Sequence, residues 1–458
     1  MILPIASQAG RTEASRRDRF GFHLYRIPRR TVVFRTPGYE TAFVPRESVE
    51  SLASGFHARW QPGFPDEWRG APSAAARMAE RSGAWSQLYV IATGQCNLKC
   101  VYCAQSRQDG LGMPAEMMQA RVWEFLRASP RPRGIVFYGG EPLLNWPAVR
   151  DTIASVRDRG PGLEISLLTN GILMTRDIAG FFAEHRVGAI VSMDGDAASH
   201  DRARVDFDGK GRQRAAETGF AVCRDAGCTV GISCVVGEHN AGRIEEVTAY
   251  LCGLRPANIG MNLMHSAGRT VFVHSPYEGA RAVVRAARTA AEFGIEIEQF
   301  ARVLRAFVHE TPRRADCPAC GGRLVVTPEG RYGVCEGAYP YHSEWFFESL
   351  EPAERLARSL ADWPCSDPDC AGCPGAGMCG GGCPLDALFD RGPGPGRDER
   401  ACALTGAILE TALRCLDELP YDESAPRLLP VEEKRSVLGR FLGTGARPLR
   451  TTSHYGEA

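Results

Sequence analysis

The 458-residue chain has no run approaching the roughly 20 apolar residues that span a bilayer, and Met1 to Phe22 carry Arg and polar residues where a signal peptide needs an apolar stretch. Export and membrane insertion are therefore not expected. Net charge is also missing: Lys plus Arg and Asp plus Glu both total 54, so the balance of charge asks for neither nucleic acid nor an anionic membrane. No internal repeat of fixed period is visible. What remains, at 44% hydrophobic and 24% charged residues, suits a globular protein with one large core and smaller satellites.

Against these absences stand seventeen cysteines. A disulfide scaffold belongs to short exported chains, and here the thiols cluster at short spacings in a long chain, so metal ligation is the better reading. Cys96, Cys100 and Cys103 lie together. Cys317, Cys320, Cys335, Cys370, Cys373, Cys379, Cys383 and Cys402 lie in the C-terminal third. Cys223, Cys228, Cys234, Cys252, Cys365 and Cys415 sit mostly in apolar text and read as small hydrophobes.

Residues 1 to about 22 read as frayed, and His23 to Val44 as a small β hairpin or meander. From Gln87 the chain alternates short apolar runs with amphipathic stretches, the pattern of a parallel sheet with crossover helices. Strands are expected at Leu88–Ala92, Gly134–Tyr138, Leu163–Leu168, Ala189–Met193, Thr229–Val236 and Asn258–Met264, with helices near 114–128, 147–159, 175–185, 211–226, 241–254 and 279–293. Six such units favour a partial (β/α)6 barrel of TIM type, an α/β fold that gathers ligands at the C-terminal ends of its strands. After about Glu310, Cys, Gly and Pro dominate, a composition that needs metal to make a core. The expected division is 1–85, an N-terminal tail and β-rich element; 86–305, the barrel; 306–420, a Cys-rich domain closed by a helix over Asp398–Leu419; and 421–458, a mobile tail.

The first cysteines follow the first strand as Cys96-Asn97-Leu98-Lys99-Cys100-Val101-Tyr102-Cys103. Three thiolates on one loop hold three irons of a [4Fe–4S] cube and leave the fourth open to a small chelating molecule; a closed zinc site, the alternative, wants a fourth ligand nearby. CNLKCVYC resembles the signature of the radical S-adenosylmethionine (radical SAM) enzymes. Phe137-Tyr138-Gly139-Gly140-Glu141-Pro142 resembles that family's GGEP motif, which binds the methionyl amino group. Thr169-Asn170-Gly171 and Ser192-Met193-Asp194-Gly195, followed by His200-Asp201, end the next two strands as in this family. The resemblance implies that Tyr102, Gly139, Gly140, Glu141, Asn170 and Ser192 contact S-adenosylmethionine. Arg212 or Arg214 is a weaker candidate for its carboxylate, a solvated helix face being the simpler role. It further implies that one electron from the cluster cleaves the sulfonium to give a 5′-deoxyadenosyl radical, which abstracts hydrogen from an unactivated C–H.

The C-terminal array reads Cys320-x9-Gly330-x4-Cys335, then Cys370-x2-Cys373-x5-Cys379-x3-Cys383, then Cys402. It resembles the SPASM domain, which carries two auxiliary [4Fe–4S] clusters, making three in all. The family's interleaved ligation would assign Cys317, Cys320, Cys335 and Cys383 to the first auxiliary cluster, and Cys370, Cys373, Cys379 and Cys402 to the second. Cys317 lies outside the seven-cysteine pattern; without it the first auxiliary cluster has an open iron. Glu336, next to Cys335, stands where sulfatase-maturating relatives place an acidic general base.

The resemblance covers about residues 86 to 405. It implies a maturase acting on a ribosomally made precursor peptide by an oxidative cross-link, cyclophane or thioether, with the N-terminal element pairing with a leader peptide by strand addition or simply capping the barrel. The alternatives are a sulfatase-type maturase oxidising Cys or Ser in a protein, and a zinc-stabilised binding protein without catalysis. A low-potential donor such as flavodoxin or ferredoxin and a reducing cytoplasm complete the expectation.

Overall fold

The computed structural model describes residues 3–9, 21–26, 31–36, 39–44, 85–103, 110–159, 162–264, 275–313, 315–362, 370, 373–391, 397–420 and 427–443. The chain begins with four antiparallel strands, β1 (Leu3–Ala9), β2 (Gly21–Arg26), β3 (Thr31–Thr36) and β4 (Glu40–Val44). Alternating units follow: β5 (Gln87–Thr93), α1 (Ala115–Ala128), β6 (Gly134–Gly139), α2 (Trp146–Arg159), β7 (Glu164–Thr169), α3 (Arg176–Glu184) and β8 (Val187–Ser192). The series continues with α4 (Gln213–Asp225), β9 (Val230–Val236), α5 (Ile244–Gly253), β10 (Ile259–Leu263), α6 (Pro276–Glu292) and α7 (Glu298–Val308). Strands β5 to β10 are parallel and hydrogen-bonded in sequence order. This is the expected α/β partial barrel, the six strands lying within two residues of their expected ends.

Each element has a local cause. β5 and β8 are buried along their whole length, as central parallel strands covered by helices on one face and by the barrel interior on the other must be. Helix α3 starts where the Thr175 side chain accepts from the Ile178 amide, and α6 where Ser275 and Glu278 form a reciprocal capping box.

The C-terminal third joins the barrel more closely than the boundary near residue 306 suggests. β11 (Arg323–Val326) pairs in parallel with β5, with Arg323 opposite Gln87, and carries β12 (Tyr332–Gly333) as a hairpin partner, so the sheet has eight strands. Besides the short turn Ala376–Cys379, three longer helices follow, α8 (Leu350–Asp362), α9 (Pro384–Arg391) and α10 (Glu399–Leu416). Helix α8 lies where periodicity was expected to have ended; its buried Ala353, Ala357 and Leu360 recur at helical spacing. Helix α10 packs against α6 and α7, fixing the Cys-rich segment to the barrel wall.

Two expectations about the chain ends are corrected. Residues 3–9 are not frayed but pair along β2. The region 421–458 is not simply a mobile tail: β13 (Arg427–Leu429) adds antiparallel to β4, and α11 (Val431–Leu438) follows. The physical reason is Lys434, fully buried, whose Nζ donates to the Tyr39 carbonyl (3.0 Å), the Phe307 carbonyl (3.1 Å) and Glu310 Oε1 (2.7 Å). Nor is the N-terminal sheet only a barrel cap. The Tyr39 hydroxyl donates to the Pro374 carbonyl (3.0 Å) and accepts from the amides of Gly377 (3.1 Å) and Met378 (3.0 Å), reaching the Cys373–Cys379 loop.

Candidate active site

The loop after β5 is held as a rigid shelf. The Lys99 amide donates to the Val205 carbonyl (2.7 Å) and the Val101 amide to the Ala203 carbonyl (2.9 Å), while the Leu98 amide donates to Cys96 Sγ (3.4 Å). Cys100 is buried; Cys96 and Cys103 are half-buried. Burial pushes the Cys96 and Cys100 thiols up to about 12, so their ionisation needs positive charge supplied at the sulfur, as a metal supplies it. Among the described residues, no three His, Cys, Asp or Glu side chains converge on a single-ion position.

Beneath the shelf lies a charge network that the sequence did not reveal. Asp194 is fully buried and takes a bidentate pair from Arg204, with both contacts at 3.0 Å. The Tyr102 hydroxyl (2.7 Å) and the Val235 amide (2.9 Å) donate to it, and His239 Nε2 lies 3.2 Å away. Burial opposes ionisation of Asp194, but Arg204 and the hydrogen bond with His239 outweigh it and hold the carboxyl well below the usual range. His200, whose Nδ1 accepts from the Asp194 amide (3.3 Å), is pushed down to about 4 by burial and stays neutral near pH 7. Tyr102 was expected to contact S-adenosylmethionine. Here its hydroxyl is committed to Asp194, the buried carboxylate that most needs a donor, so Tyr102 first ties the cluster loop to the barrel.

The GGEP turn is drawn onto the same shelf. The Gly140 amide donates to the Thr93 carbonyl (2.9 Å) and the Glu141 amide to the Gln95 carbonyl (2.7 Å). Gly139 has φ +138°, and a Cβ at Gly140 would stand 2.0 Å from the Gln95 carbonyl oxygen, so only glycine permits this approach. The sequence suggested that the glycines admit a ligand; the close approach in the structure is to the loop's own backbone. Glu141, fully buried, accepts from the Leu143 amide (3.1 Å), the Thr169 hydroxyl (2.8 Å) and the Asn170 amide (2.8 Å), clamping the ends of β6 and β7 together. Burial still raises it to about 7, leaving a site short of positive charge that fits an ammonium group. Asn170 Nδ2 donates to Asn97 Oδ1 (2.7 Å), another tie to the cluster loop.

Ser192, buried at the end of β8, lies beside Ser233 of β9. From there a ladder continues: Asn262 Nδ2 donates to Ser233 Oγ (3.0 Å) and Gln299 Nε2 to Asn262 Oδ1 (2.8 Å). Single polar residues in otherwise apolar elements, Ser233 and Asn262 in strands and Gln299 at the start of α7, carry no signal in the sequence. Arg212 is paired with Asp206, and Arg214 is exposed, in keeping with a solvated helix face.

The C-terminal thiols fall into two groups that interleave along the chain. Cys317 and Cys383 lie against each other, with Cys320 and Cys335 close enough to perturb Cys317 electrostatically. Cys379 and Cys402 likewise adjoin, with Cys370 and Cys373 similarly close to Cys402. Cys317, outside the seven-residue pattern, thus stands with Cys320, Cys335 and Cys383. The crossing is made by Gly380, Gly381 and Gly382, with φ of +57°, +81° and +74°. A Cβ at Gly382 would stand 2.5 Å from that of Ala401, so glycine is required to turn the chain from one group to the other under the start of α10.

Glu336 lies beside Cys335. It forms an ion pair with Arg323, whose side chain is 4% exposed, and it perturbs Tyr138 together with Cys103 and Cys335. Nothing in the sequence pairs Glu336 with Arg323.

Fold and site together define a class: a parallel partial barrel with a three-thiol loop at the end of its first strand, a glycine turn at the end of its second, and a thiol-rich domain beside them. Residues 90–251, about a third of the chain, match the Radical SAM superfamily. The serine-type anaerobic sulfatase-maturating enzyme of Klebsiella aerogenes is 26% identical over 263 residues, 53% of this chain and 64% of that enzyme. The cysteine-type enzyme of Clostridium novyi is 26% identical over 174 residues, 35% of this chain and 46% of that enzyme. The chain therefore spans about half to two thirds of these curated relatives. Among solved structures, native anSMEcpe with bound AdoMet covers 71% of this chain and 97% of its own at TM-score 0.60 and 19% identity. Streptococcus suis SuiB bound to S-adenosylmethionine covers 78% and 80% at TM-score 0.55 and 13% identity. These structures share the fold.

Proposed function

We propose that the chain is a radical SAM maturase that oxidises a peptide or protein substrate, and that its preferred reaction is an oxidative cross-link in a ribosomally made precursor peptide. The observation that carries this reading is the sorting of eleven cysteines into one group of three and two of four, with Glu336 beside Cys335 and Tyr138 near both it and Cys103. Cys96, Cys100 and Cys103 would hold a [4Fe–4S] cluster open to S-adenosylmethionine; Cys317, Cys320, Cys335 and Cys383 a first auxiliary cluster; Cys370, Cys373, Cys379 and Cys402 a second. When bound, cluster and cosubstrate supply a 5′-deoxyadenosyl radical.

The chain's own residues do the rest. Gly139, Gly140, Asn170 and Ser192 would cradle the cosubstrate, with Glu141 balancing its ammonium from beneath. The apolar barrel wall excludes water. Glu336 would accept the proton released as the substrate radical is oxidised. A low-potential flavodoxin or ferredoxin in a reducing cytoplasm would be the electron source.

A sulfatase-type maturase is the second reading, favoured by the sulfatase-maturating relatives. A zinc-stabilised binding protein is the reading to exclude. Anaerobically prepared protein is expected to be brown, to carry about twelve irons with matching sulfide, and to form 5′-deoxyadenosine on reduction. Cys96→Ala should abolish that cleavage, whereas Cys379→Ala should keep it and lose product. Colourless protein rich in zinc would refute the proposal.

A further inference from the structure

β11 is the element of the Cys-rich region that enters the barrel sheet, and its first residue is Arg323. The guanidinium stacks over the Tyr89 ring of β5 at 3.9 Å from its centroid and pairs with Glu336, the residue after Cys335. At 4% exposure this charge cannot be left uncompensated, so it fixes where the carboxylate stands. Tyr89 faces Tyr138 at 6.5 Å between centroids, and the Tyr89 hydroxyl, buried, finds no hydrogen-bond partner among the described residues. Arg323, Tyr89, Tyr138 and Glu336 thus form a polar floor between the Cys103 loop and the Cys317–Cys335 group. Its cation lies near enough to Cys317 and Cys335 to feel their charge.

We propose that Arg323 is the positioning residue of the oxidation step: it sets the Glu336 carboxylate beside the Cys317–Cys335 group, and its charge raises the reduction potential of the cluster held by Cys317, Cys320, Cys335 and Cys383. This rests on the functional reading above. The balance is complete in one step. After the first hydrogen atom has left, the substrate radical gives one electron to that cluster and one proton to the Glu336 carboxylate, and closes as a product two hydrogens lighter. A cation beside a cluster favours the reduced form, which carries one more negative charge. The anion of Glu336 offsets part of that effect, so the two residues act with opposite sign.

The test is an EPR-monitored redox titration of the full chain, reconstituted anaerobically, with Cys96, Cys100 and Cys103 replaced by Ala so that only the auxiliary clusters report. Arg323→Gln is expected to lower one of the two potentials, Glu336→Gln to raise the same one, and Arg323→Lys to leave both near their original values. In chains with the first cysteine group intact, Arg323→Gln should reduce product per 5′-deoxyadenosine by about tenfold or more. Potentials unmoved by both neutral variants, or moved in the same direction, would overturn the proposal. Should Arg323→Gln fail to fold, the rise in Glu336→Gln and the constancy in Arg323→Lys are still required, and either one missing overturns it. Protein that holds no iron refutes the functional reading and this inference with it. Protein that holds its clusters and cleaves S-adenosylmethionine, yet shows no paired shifts, refutes the role of Arg323 alone.

Discussion

Buried charge decides what individual residues do here. Glu141 is raised to about 7 because burial outweighs its three hydrogen bonds. Without a cation nearby, a raised carboxyl stabilises the fold below its unfolded pKa and loses that contribution as pH rises through the folded value. Cosubstrate binding supplies the cation, so S-adenosylmethionine affinity should rise as pH increases from about 5 to about 7, and Glu141→Gln should flatten the rise. Calorimetry across that range measures it; a slope unchanged in the variant would remove Glu141 from the site. Asp194 is the opposite case, held low, so its contribution is present above the usual carboxylate range and is lost only in strong acid. Tyr102→Phe removes one donor from that carboxylate. The expected loss is about 1.5–3 kcal/mol, read as a lower Tm with a faster bleaching of the first cluster. Of this network the sequence showed only the types of residue. Cys96, Cys100, Cys103 and the glycine turn were legible because their spacing is itself the signal. Arg204 and Arg323 were not, since each is one arginine among many until folding removes it from water.

Helices and strands were legible wherever burial left a period in the text. β5 to β10 are apolar runs of the length of a strand, and their helices carry apolar faces, so twelve elements could be placed before any coordinates. What failed was pairing at long range. β11 is four residues, Arg-Leu-Val-Val, in Cys- and Gly-rich text, and only its docking against β5 makes it a strand. β13 is three residues and depends on β4 in the same way. The C-terminal clasp is therefore a tertiary feature with a testable keystone. Lys434→Met leaves two carbonyls and Glu310 without their donor and should destabilise the chain by about 3–5 kcal/mol. Because Tyr39 links that clasp to the Cys373–Cys379 loop, the variant should also lose iron from the second auxiliary group first. A Tm within a degree of the parent, with full iron, would contradict this.

At the scale of the molecule, barrel and Cys-rich region form one working unit. They share the eight-stranded sheet, they are joined by the Arg323–Glu336 pair, and α10 braces the second against the first. Such an arrangement suits chemistry that removes a hydrogen atom in one place and an electron in the next. On the proposed reading the substrate is a peptide, and it loses two hydrogens. The most direct measurement is anaerobic co-expression with the short open reading frames beside the gene, followed by high-resolution mass spectrometry and fragmentation of each peptide. One peptide is expected to be lighter by two hydrogens, with fragmentation suppressed between the two joined residues. Unchanged peptides alongside an enzyme that makes 5′-deoxyadenosine would contradict that reading and move the substrate to a protein of the sulfatase kind.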